Sequence, residues 1–416
     1  MRPLRHLTIL TLITCGLGLT PIPIPAYRVW AQERESQSVL PQGVDPQRLA
    51  RLDDALDRAV SNHVVPGAVL LVGSNDRIVY RRAVGQRALE PTAEAMTLDT
   101  IFDLASLTKP IATATAAMIL LERGQLRIDE RLGDVLPAFD NNDKGKITVE
   151  QLLRHRSGLI ADNPMADYAN GPEGAWQRLA QLALVSEPGS KFNYSDVNYM
   201  ILGRIVEARS GLGLAEFFQT EIAAPLGLTA TRFASGVEPD PAWLARTAPT
   251  AREGDQMLRG VVHDPRARAL SGVAGHAGLF GTAEDLARYA QTLLNGGRTT
   301  QGTQWLAPLT VRKMTTPGDE PAGQLRGLGW DINTSFSSPK GALFGPQGFG
   351  HTGFTGTCIW IDPETRTYVI LLTSRLHPDG KRTAPILQLY REVSTLAAAA
   401  LNDPKLARAP ERNENN

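Results

Sequence analysis

Ser106-Leu107-Thr108-Lys109 stands where a polar turn, residues 97–103, gives way to a long apolar stretch, residues 111–121. A serine at a helix start and a lysine three residues later lie on one face of the first turn, so the lysine amine can reach the serine hydroxyl. The positive end of the helix dipole also favours negative charge on that serine. The sequence therefore predicts a serine nucleophile, Ser106, assisted by Lys109.

The Ser-x-x-Lys pattern occurs a second time, as Ser337-Ser338-Pro339-Lys340. Pro339 would break a helix interior, and the glycines and serines around it indicate a loop. We therefore expect the second copy to carry no chemistry. In the first copy, Lys109 can act as a base only where burial or nearby cations lower its pKa.

Composition indicates an ordinary globular protein. The chain has 416 residues, of which 42% are hydrophobic and 21% charged, and its net charge is zero. This length can bury one large core or two closely packed ones. Because no basic excess exists, we predict no nucleic-acid partner.

The first 31 residues resemble a secretory signal peptide. Arg2 and Arg5 precede an apolar segment, residues 7–19, that is too short to span a bilayer comfortably. Val29-Trp30-Ala31 offers small residues where a signal peptidase reads them. We therefore predict export to the periplasm or the cell exterior. The alternative is an uncleaved N-terminal segment that associates the protein with a membrane.

Cysteine and histidine usage predicts neither a disulfide nor a metal site. Removal of the signal would take Cys15 and leave Cys358 alone in an apolar run. Cys358 is therefore expected to be a small buried hydrophobe. No His-Glu-x-x-His or multiple-cysteine spacing typical of zinc is present, and we expect no metal and no organic cofactor.

The pattern of predicted elements differs between the ends and the middle of the chain. Strand hairpins are predicted near both ends, at residues 67–83 and 358–373, whereas the middle is rich in helices and loops. We predict an α+β fold, in which one antiparallel sheet is built from both chain ends and flanked by helices. The predicted boundaries are a flexible arm at 32–44, a domain at 45–402 with a mostly helical insertion at about 125–325, and a disordered tail at 403–416. The active site is expected at the junction of sheet and insertion.

Two further segments strengthen the prediction for Ser106. Residues 187–203 read EPGSKFNYSDVNYMILG and residues 350–356 read GHTGFTG. With Ser-x-x-Lys they resemble, in order and broad spacing, the three motifs of the serine β-lactamase and DD-peptidase superfamily, as in class C β-lactamases, DD-carboxypeptidases and related esterases. The resemblance covers roughly residues 45–401 and implies a β-lactamase/transpeptidase-like fold.

The resemblance also implies roles for the matching residues. Ser106 would be the nucleophile that becomes acylated, and Lys109 its hydrogen-bond partner and shared base. Tyr194 would act as general base and acid. The backbone N–H groups of Ser106 and Phe354 would form the oxyanion hole. Substrate binding would fall to four further residues: Asp196, His351, Thr352 and Gly353.

Two of these residues depart from the family pattern. Asp196 stands where the family usually has asparagine, and an ionised carboxylate near Lys109 would raise the pKa of the lysine. Proton transfer would then shift toward Tyr194. His351 stands where β-lactamases usually carry a lysine that helps hold the substrate carboxylate. Histidine is largely neutral at pH 7, which argues against a specialised β-lactamase.

Several residues have competing interpretations. Tyr168-Ala169-Asn170 fits a Tyr-x-Asn pattern by letter, but no apolar helix follows it directly. His155 and His276 are interpreted as structural hydrogen-bonding residues. His263-Asp264 could instead border the site. Arg375 and His377 could bind a substrate carboxylate.

The best substrate prediction is a D-alanyl peptide of cell-wall type, or a small ester or amide of similar shape. Esterase or weak class C-type β-lactamase activity is the nearest alternative. A non-catalytic module that binds peptidoglycan or β-lactams is the alternative from another class of protein. Intact Ser106, Lys109 and Tyr194 favour the enzyme.

Overall fold

The computed structural model describes residues 43–235, 240–320, 323–380 and 385–402. The predicted signal peptide, the predicted tail and nearly all of the predicted arm therefore lie outside the described residues. The last two residues of the predicted arm, Gly43 and Val44, are described and pair with residues 401 and 402 near the other end of the described chain. Val44 pairs with Leu401, and the amide of Asn402 donates to the carbonyl of Gly43 at 2.7 Å.

Thirteen strands form in the described residues, and eight of them make one antiparallel sheet in the order β3-β2-β1-β13-β12-β11-β10-β9. The strands are β1 Gly67–Ser74, β2 Arg77–Ala88, β3 Glu94–Ala95, β4 Phe102–Asp103, β5 Arg232–Phe233, β6 Arg252–Glu253, β7 Gln256–Met257, β8 Leu279–Gly281, β9 Leu325–Arg326, β10 Asp331–Asn333, β11 Phe349–Gly353, β12 Thr357–Asp362 and β13 Thr367–Thr373. The central pair joins the two ends of the chain, since β1 runs antiparallel to β13. The predicted sheet from both chain ends is confirmed.

Fourteen α-helices are found in the same residues. They are α1 Pro46–Leu49, α2 Arg51–Ser61, α3 Thr115–Glu122, α4 Leu132–Val135, α5 Val149–Leu153, α6 Gly171–Gln181, α7 Asp196–Ser210, α8 Leu214–Phe217, α9 Ala224–Leu226, α10 Pro241–Arg246, α11 Pro265–Ala269, α12 Ala283–Leu294, α13 Pro308–Thr315 and α14 Ile386–Ala399. None of the helices in the described ranges is long and apolar enough to cross a membrane.

The centre of the large sheet is buried on both faces. Leu70 on β1 packs with α2 and α14 on one face, whereas its neighbour Val69 belongs to the core on the opposite face. This follows from strand geometry, because successive side chains point to opposite faces. β1 is therefore buried along its whole length, as a central strand covered on both sides must be.

The predicted helical insertion contains helices α4 to α13, but it also contains short strands. β8 lies between β4 and β5 in a three-stranded sheet, so its pairing with β4 connects residues 279–281 to the segment just before Ser106. The turn that contains Ser106 contacts both β11 of the large sheet and β8 of this middle segment, so the two parts meet there.

The segment after Ser106 is not the regular helix predicted from the sequence. Residues Ala105–Leu107 form a 3₁₀ turn, Lys109–Ala114 a π-helical turn, and only Thr115–Glu122 is α-helical. Pro110 has no N–H to donate to the carbonyl of Ser106, so the usual α-helical hydrogen bond cannot form there. Wide turns of this kind occur frequently at functional sites.

Candidate active site

Ser106 follows a backbone turn that buried hydrogen bonds hold in place. Ala105 has a φ of 47°, which is unfavourable for a residue with a side chain. The carboxylate of Asp103 accepts from the amide of Ala105 at 2.8 Å and from the amide of His263 at 2.7 Å. Burial raises the pKa of Asp103 to about 6. Asp103 thus holds the backbone turn before Ser106 and does not itself line the cleft.

The side chain of Lys109 is completely buried beside Ser106. Its Nζ donates to Ser106 Oγ at 2.8 Å and to the carbonyl of His276 at 3.1 Å, and lies 2.6 Å from Asp196 Oδ1. Burial by itself would lower the pKa of Lys109, but the charge of Asp196 and the side chain of Tyr194 outweigh it and raise the pKa above its ordinary value. Lys109 is therefore a cation at neutral pH and not a free base.

Tyr194 lies next to this ammonium group. Lys109 Nζ is 5.0 Å from the centroid of its ring, and the Tyr194 ring lies tilted against His155 at 4.5 Å. The next residue fixes its place, because Ser195 caps α7 and its amide donates to Nδ1 of His155 at 3.0 Å. His155 has the structural hydrogen-bonding role predicted for it, and burial above all holds its pKa well below the ordinary value.

The competing tyrosine lies elsewhere. Tyr168 is buried, donates to Asn163 Oδ1 at 2.9 Å, and does not line the cleft that contains Ser106. Tyr194 does line that cleft. The structure thus brings together Ser106, Lys109 and Tyr194, and leaves Tyr168 in a separate apolar cluster.

The third motif occupies strand β11, whose end reaches the Ser106 turn. A Cβ added to Gly353 would lie 2.5 Å from the carbonyl oxygen of Leu104, so only glycine permits this approach. The Thr355 hydroxyl donates to the Asp103 carbonyl at 2.6 Å, and the Thr357 hydroxyl donates to the Leu104 carbonyl at 3.0 Å. These hydrogen bonds hold the backbone that follows Gly353 at the edge of the cleft.

His351 is buried in that strand and carries no positive charge. Its Nδ1 hydrogen-bonds to the carbonyl of Thr352 at 2.8 Å. Burial, then the cations Arg326 and Lys109, hold the pKa of His351 well below its ordinary value. The strand therefore supplies no cation where related β-lactamases are expected to have lysine.

Ser106 opens into a cleft of about 190 Å³. Of the residues predicted from the sequence, the cleft is lined by Ser106, Tyr194, His351, Thr352, Gly353, Phe354 and Arg375. Five residues that no sequence motif indicated complete the lining: Arg326, Asp331, Phe336, Leu387 and Tyr390. Asp196 does not line the cleft and contacts the site through its ion pair with Lys109.

The remaining alternatives lie at the border of the site or away from it. His263 stacks on Phe354 at 5.5 Å, so it borders the cleft as expected. His377 does not line the cleft, and its Nε2 accepts from the amide of Leu89 at 2.8 Å. It is thereby placed as a structural residue and not as a carboxylate ligand.

A second buried network adjoins Lys109. His276 Nε2 lies 2.9 Å from Asp264 Oδ1, and ligand atoms of these two residues and Asp196 fall within 4.8 Å of one another. Although burial would raise the pKa of Asp264, His276 holds it well below the ordinary value. Three such side chains could ligate a cation, but the Lys109 ammonium already neutralises Asp196 at 2.6 Å.

Comparison with known proteins agrees with this geometry. Residues 52–391 match the family model described as Beta-lactamase. The chain belongs to the beta-lactamase family. It is accordingly a serine hydrolase by family, and the segments that carry its three motifs lie within the matched range.

Relatives within the beta-lactamase family extend over most of the chain. A protein of Escherichia coli strain K12, named "Putative D-alanyl-D-alanine carboxypeptidase", is 35% identical and covers 77% of this chain and 82% of its own length. A protein of the same name from Salmonella typhimurium is 31% identical. The alignment covers 80% of this chain and 84% of that relative.

Solved structures show the same fold. A penicillin-binding protein homologue from Caulobacter crescentus superposes with a TM-score of 0.68 at 22% identity, covering 86% of this chain and 99% of its own. A class C beta-lactamase from Rhodobacter sphaeroides gives a TM-score of 0.66 at 18% identity, with 83% and 98% covered. The predicted β-lactamase/transpeptidase-like fold is confirmed.

Proposed function

We propose that this protein is an exported serine hydrolase that acts through an acyl-enzyme on Ser106, with D-alanyl peptides of cell-wall type as its substrates. The observation that carries the proposal is the 2.8 Å hydrogen bond from Lys109 Nζ to Ser106 Oγ, at the edge of a cleft that Tyr194 also lines. Burial and the ion pair with Asp196 hold the Lys109 ammonium beside this hydroxyl, as a serine nucleophile assisted by lysine requires. The names of the E. coli and Salmonella relatives support the substrate class.

In the proposed acylation, the Tyr194 oxygen acts as the general base beside the Lys109 ammonium. The Ser106 oxygen bonds to the substrate carbonyl carbon while the Ser106 proton passes to the Tyr194 oxygen. Tyr194 then donates this proton to the leaving amine as the bond between nitrogen and the carbonyl carbon breaks. Water later attacks the acyl carbon of the Ser106 ester while its proton passes to the Tyr194 oxygen. Tyr194 then returns this proton to the Ser106 oxygen as the bond between that oxygen and the acyl carbon breaks, which releases the acid product.

The oxyanion of each tetrahedral intermediate would be held by the backbone N–H groups of Ser106 and Phe354. The hydroxyls of Thr355 and Thr357 donate hydrogen bonds to the carbonyls of residues 103 and 104. These bonds support this role, because they fix the two backbone segments relative to each other. Preorganised donors of this kind commonly contribute the largest single share of stabilisation in acyl transfer.

The neutral state of His351 favours a peptidase or an esterase over a β-lactamase. A β-lactamase must hydrolyse its acyl-enzyme quickly, and the family's usual lysine is absent from this strand. Ester substrates are the nearest alternative, because large apolar side chains stand exposed at the rim of the cleft, with Phe336 47% and Leu387 50% exposed. Such a rim suits hydrophobic acyl groups.

The test compares three substrates with the wild type and with Ser106→Ala: an acylated peptide ending in D-Ala-D-Ala, a penicillin and an activated aryl ester. We expect release of D-alanine and turnover of the ester, with little turnover of penicillin. Ester turnover without release of D-alanine would indicate that the protein is an esterase and not a peptidase. Stable acylation without turnover of any substrate would contradict the hydrolase and favour a binding module.

A further inference from the structure

Arg326 carries a positive charge, is almost completely buried, and makes no side-chain hydrogen bond in the part of the chain that the structure describes. Its side chain is only 1% exposed, and within the described residues Nε, Nη1 and Nη2 all lack a hydrogen-bond partner. A guanidinium carries five N–H donors and is charged at every accessible pH. Leaving a buried cation with unmade hydrogen bonds is costly, so the site is complementary to an anionic acceptor.

The nearest counter-charge does not satisfy Arg326. Asp331 Oδ1 lies 3.6 Å from Arg326 Nη1, which is an ion pair but too long for a hydrogen bond. That same oxygen accepts from the Thr334 hydroxyl at 2.8 Å. Asp331 therefore balances part of the charge and leaves the donors of Arg326 available to a planar carboxylate, which guanidinium binds through two parallel hydrogen bonds.

Arg326 also lies near Tyr194 in the cleft that contains Ser106. It lines the same cleft as Ser106, and its Cζ lies 6.0 Å from the ring centroid of Tyr194. Tyr194 is the proposed proton donor to the leaving group, so Arg326 lies near the residue that this group would contact. His351, the residue of the third motif that would otherwise supply a cation, is held neutral in part by Arg326 itself.

We propose that Arg326 is the specificity-determining residue that binds the carboxylate of the leaving group, in place of a cation on strand β11. The proposal rests on the proposed acylation of Ser106 and defines its substrates as acyl compounds whose leaving group ends in a carboxylate. In a D-alanyl peptide, this group is the free C-terminus of the chain.

The experiment uses two aryl esters with one acyl group, whose leaving groups are 3-carboxyphenol and 3-carbamoylphenol. They differ by one negative charge and do not depend on a D-alanyl acyl group. The readout is the ratio of kcat/KM for the carboxylate ester to that for the amide ester. We expect the wild type to prefer the carboxylate, and Arg326→Gln to lower the ratio by about tenfold or more, chiefly through KM.

Arg326→Lys keeps the cation and should retain part of the preference. Arg375→Gln is the matched control, because Arg375 also lines the cleft, where its Nε donates to the carbonyl of Phe354 at 2.8 Å. It should keep the ratio. Equal losses with both esters in Arg326→Gln would overturn the proposal and assign Arg326 to the positioning of Tyr194. Loss of the preference in Arg375→Gln alone would also overturn it.

The wild type decides the question even where Arg326→Gln does not fold. Acylation of Ser106 by both esters without any preference for the carboxylate would overturn the role of Arg326 and leave the proposed hydrolase intact. Absence of Ser106 acylation by either ester would contradict both proposals.

Discussion

Lys109 Nζ lies 2.6 Å from Asp196 Oδ1, at the position where the family usually has asparagine. The pair keeps Lys109 positively charged, although burial opposes the charge. In the proposed mechanism, Lys109 therefore acts as an electrostatic partner of Ser106 and Tyr194, and Tyr194 transfers the proton. These separate roles of Lys109 and Tyr194 lead to the first two predictions.

Asp196→Asn should lower the pKa of Lys109. The substitution removes the carboxylate that raises this pKa and leaves burial, which lowers it. Because the proposed acylation needs the ammonium form, the alkaline limb of the pH profile of kcat/KM should move to lower pH. The measurement is a pH profile with an aryl ester, and an unchanged alkaline limb would show that Asp196 does not control Lys109.

Tyr194→Phe should reduce the rate of Ser106 acylation by about 10²–10⁴-fold, which is the usual contribution of a general base. The ring contacts with His155 remain, so the fold should be kept. Tyr168→Phe is the matched control and should retain the rate, since its hydroxyl contacts Asn163 outside the cleft. Stopped-flow acylation measures both variants. Comparable losses in the two variants would rule out a special role for Tyr194.

Gly353→Ala should impair acylation by separating strand β11 from the nucleophile turn. The added Cβ would lie 2.1 Å from Thr357 Oγ1 and 2.5 Å from the carbonyl oxygen of Leu104, so backbone must move. We expect a loss of kcat/KM together with a lower melting temperature. Gly213→Ala is the control, because nothing lies within 4 Å of its added Cβ. Full activity in Gly353→Ala would contradict the proposed oxyanion hole.

Acid should destabilise the protein through buried histidines. Burial lowers the pKa of His377 to about 4, below its ordinary value of 6.5. The unfolded chain therefore binds a proton between these two values while the folded protein does not. The free energy of unfolding should fall as the pH drops from 6.5 to 4.

His377→Gln tests this contribution, since its amide oxygen can still accept from the amide of Leu89. The variant should lose less stability than the wild type over that pH range, by about 1–3 kcal/mol. Urea unfolding at both pH values provides the comparison. An identical pH dependence in wild type and variant would mean that His377 does not contribute.

Local signals in the sequence placed many elements correctly. The residue types at Asn75-Asp76, where both residues have positive φ, are typical of a hairpin turn, and Thr282 and Asn295 are typical of the two ends of helix α12. Thr148, which caps α5, is likewise a residue type that favours a helix start. Each of these features depends on residues within a few positions of one another, so one sequence suffices to predict them.

The parts that could not be predicted depend on distant contacts. Arg326 lies on a two-residue strand at the sheet edge, and nothing in its neighbourhood distinguishes it from a surface arginine. Phe336 and Leu387 reach the cleft from separate loops and helices. The π-helical turn after Lys109 has a local cause in Pro110, but its width depends on packing that the sequence pattern does not display.

The most direct test of the account is the intact mass of the protein after incubation with a fluorescent penicillin and, separately, with an activated acyl ester. We predict a covalent adduct with the ester at least, located on Ser106 by peptide mapping and absent from Ser106→Ala. An adduct that persists in Ser106→Ala, or no adduct with either reagent on the folded wild type, would contradict the claim that Ser106 is the nucleophile.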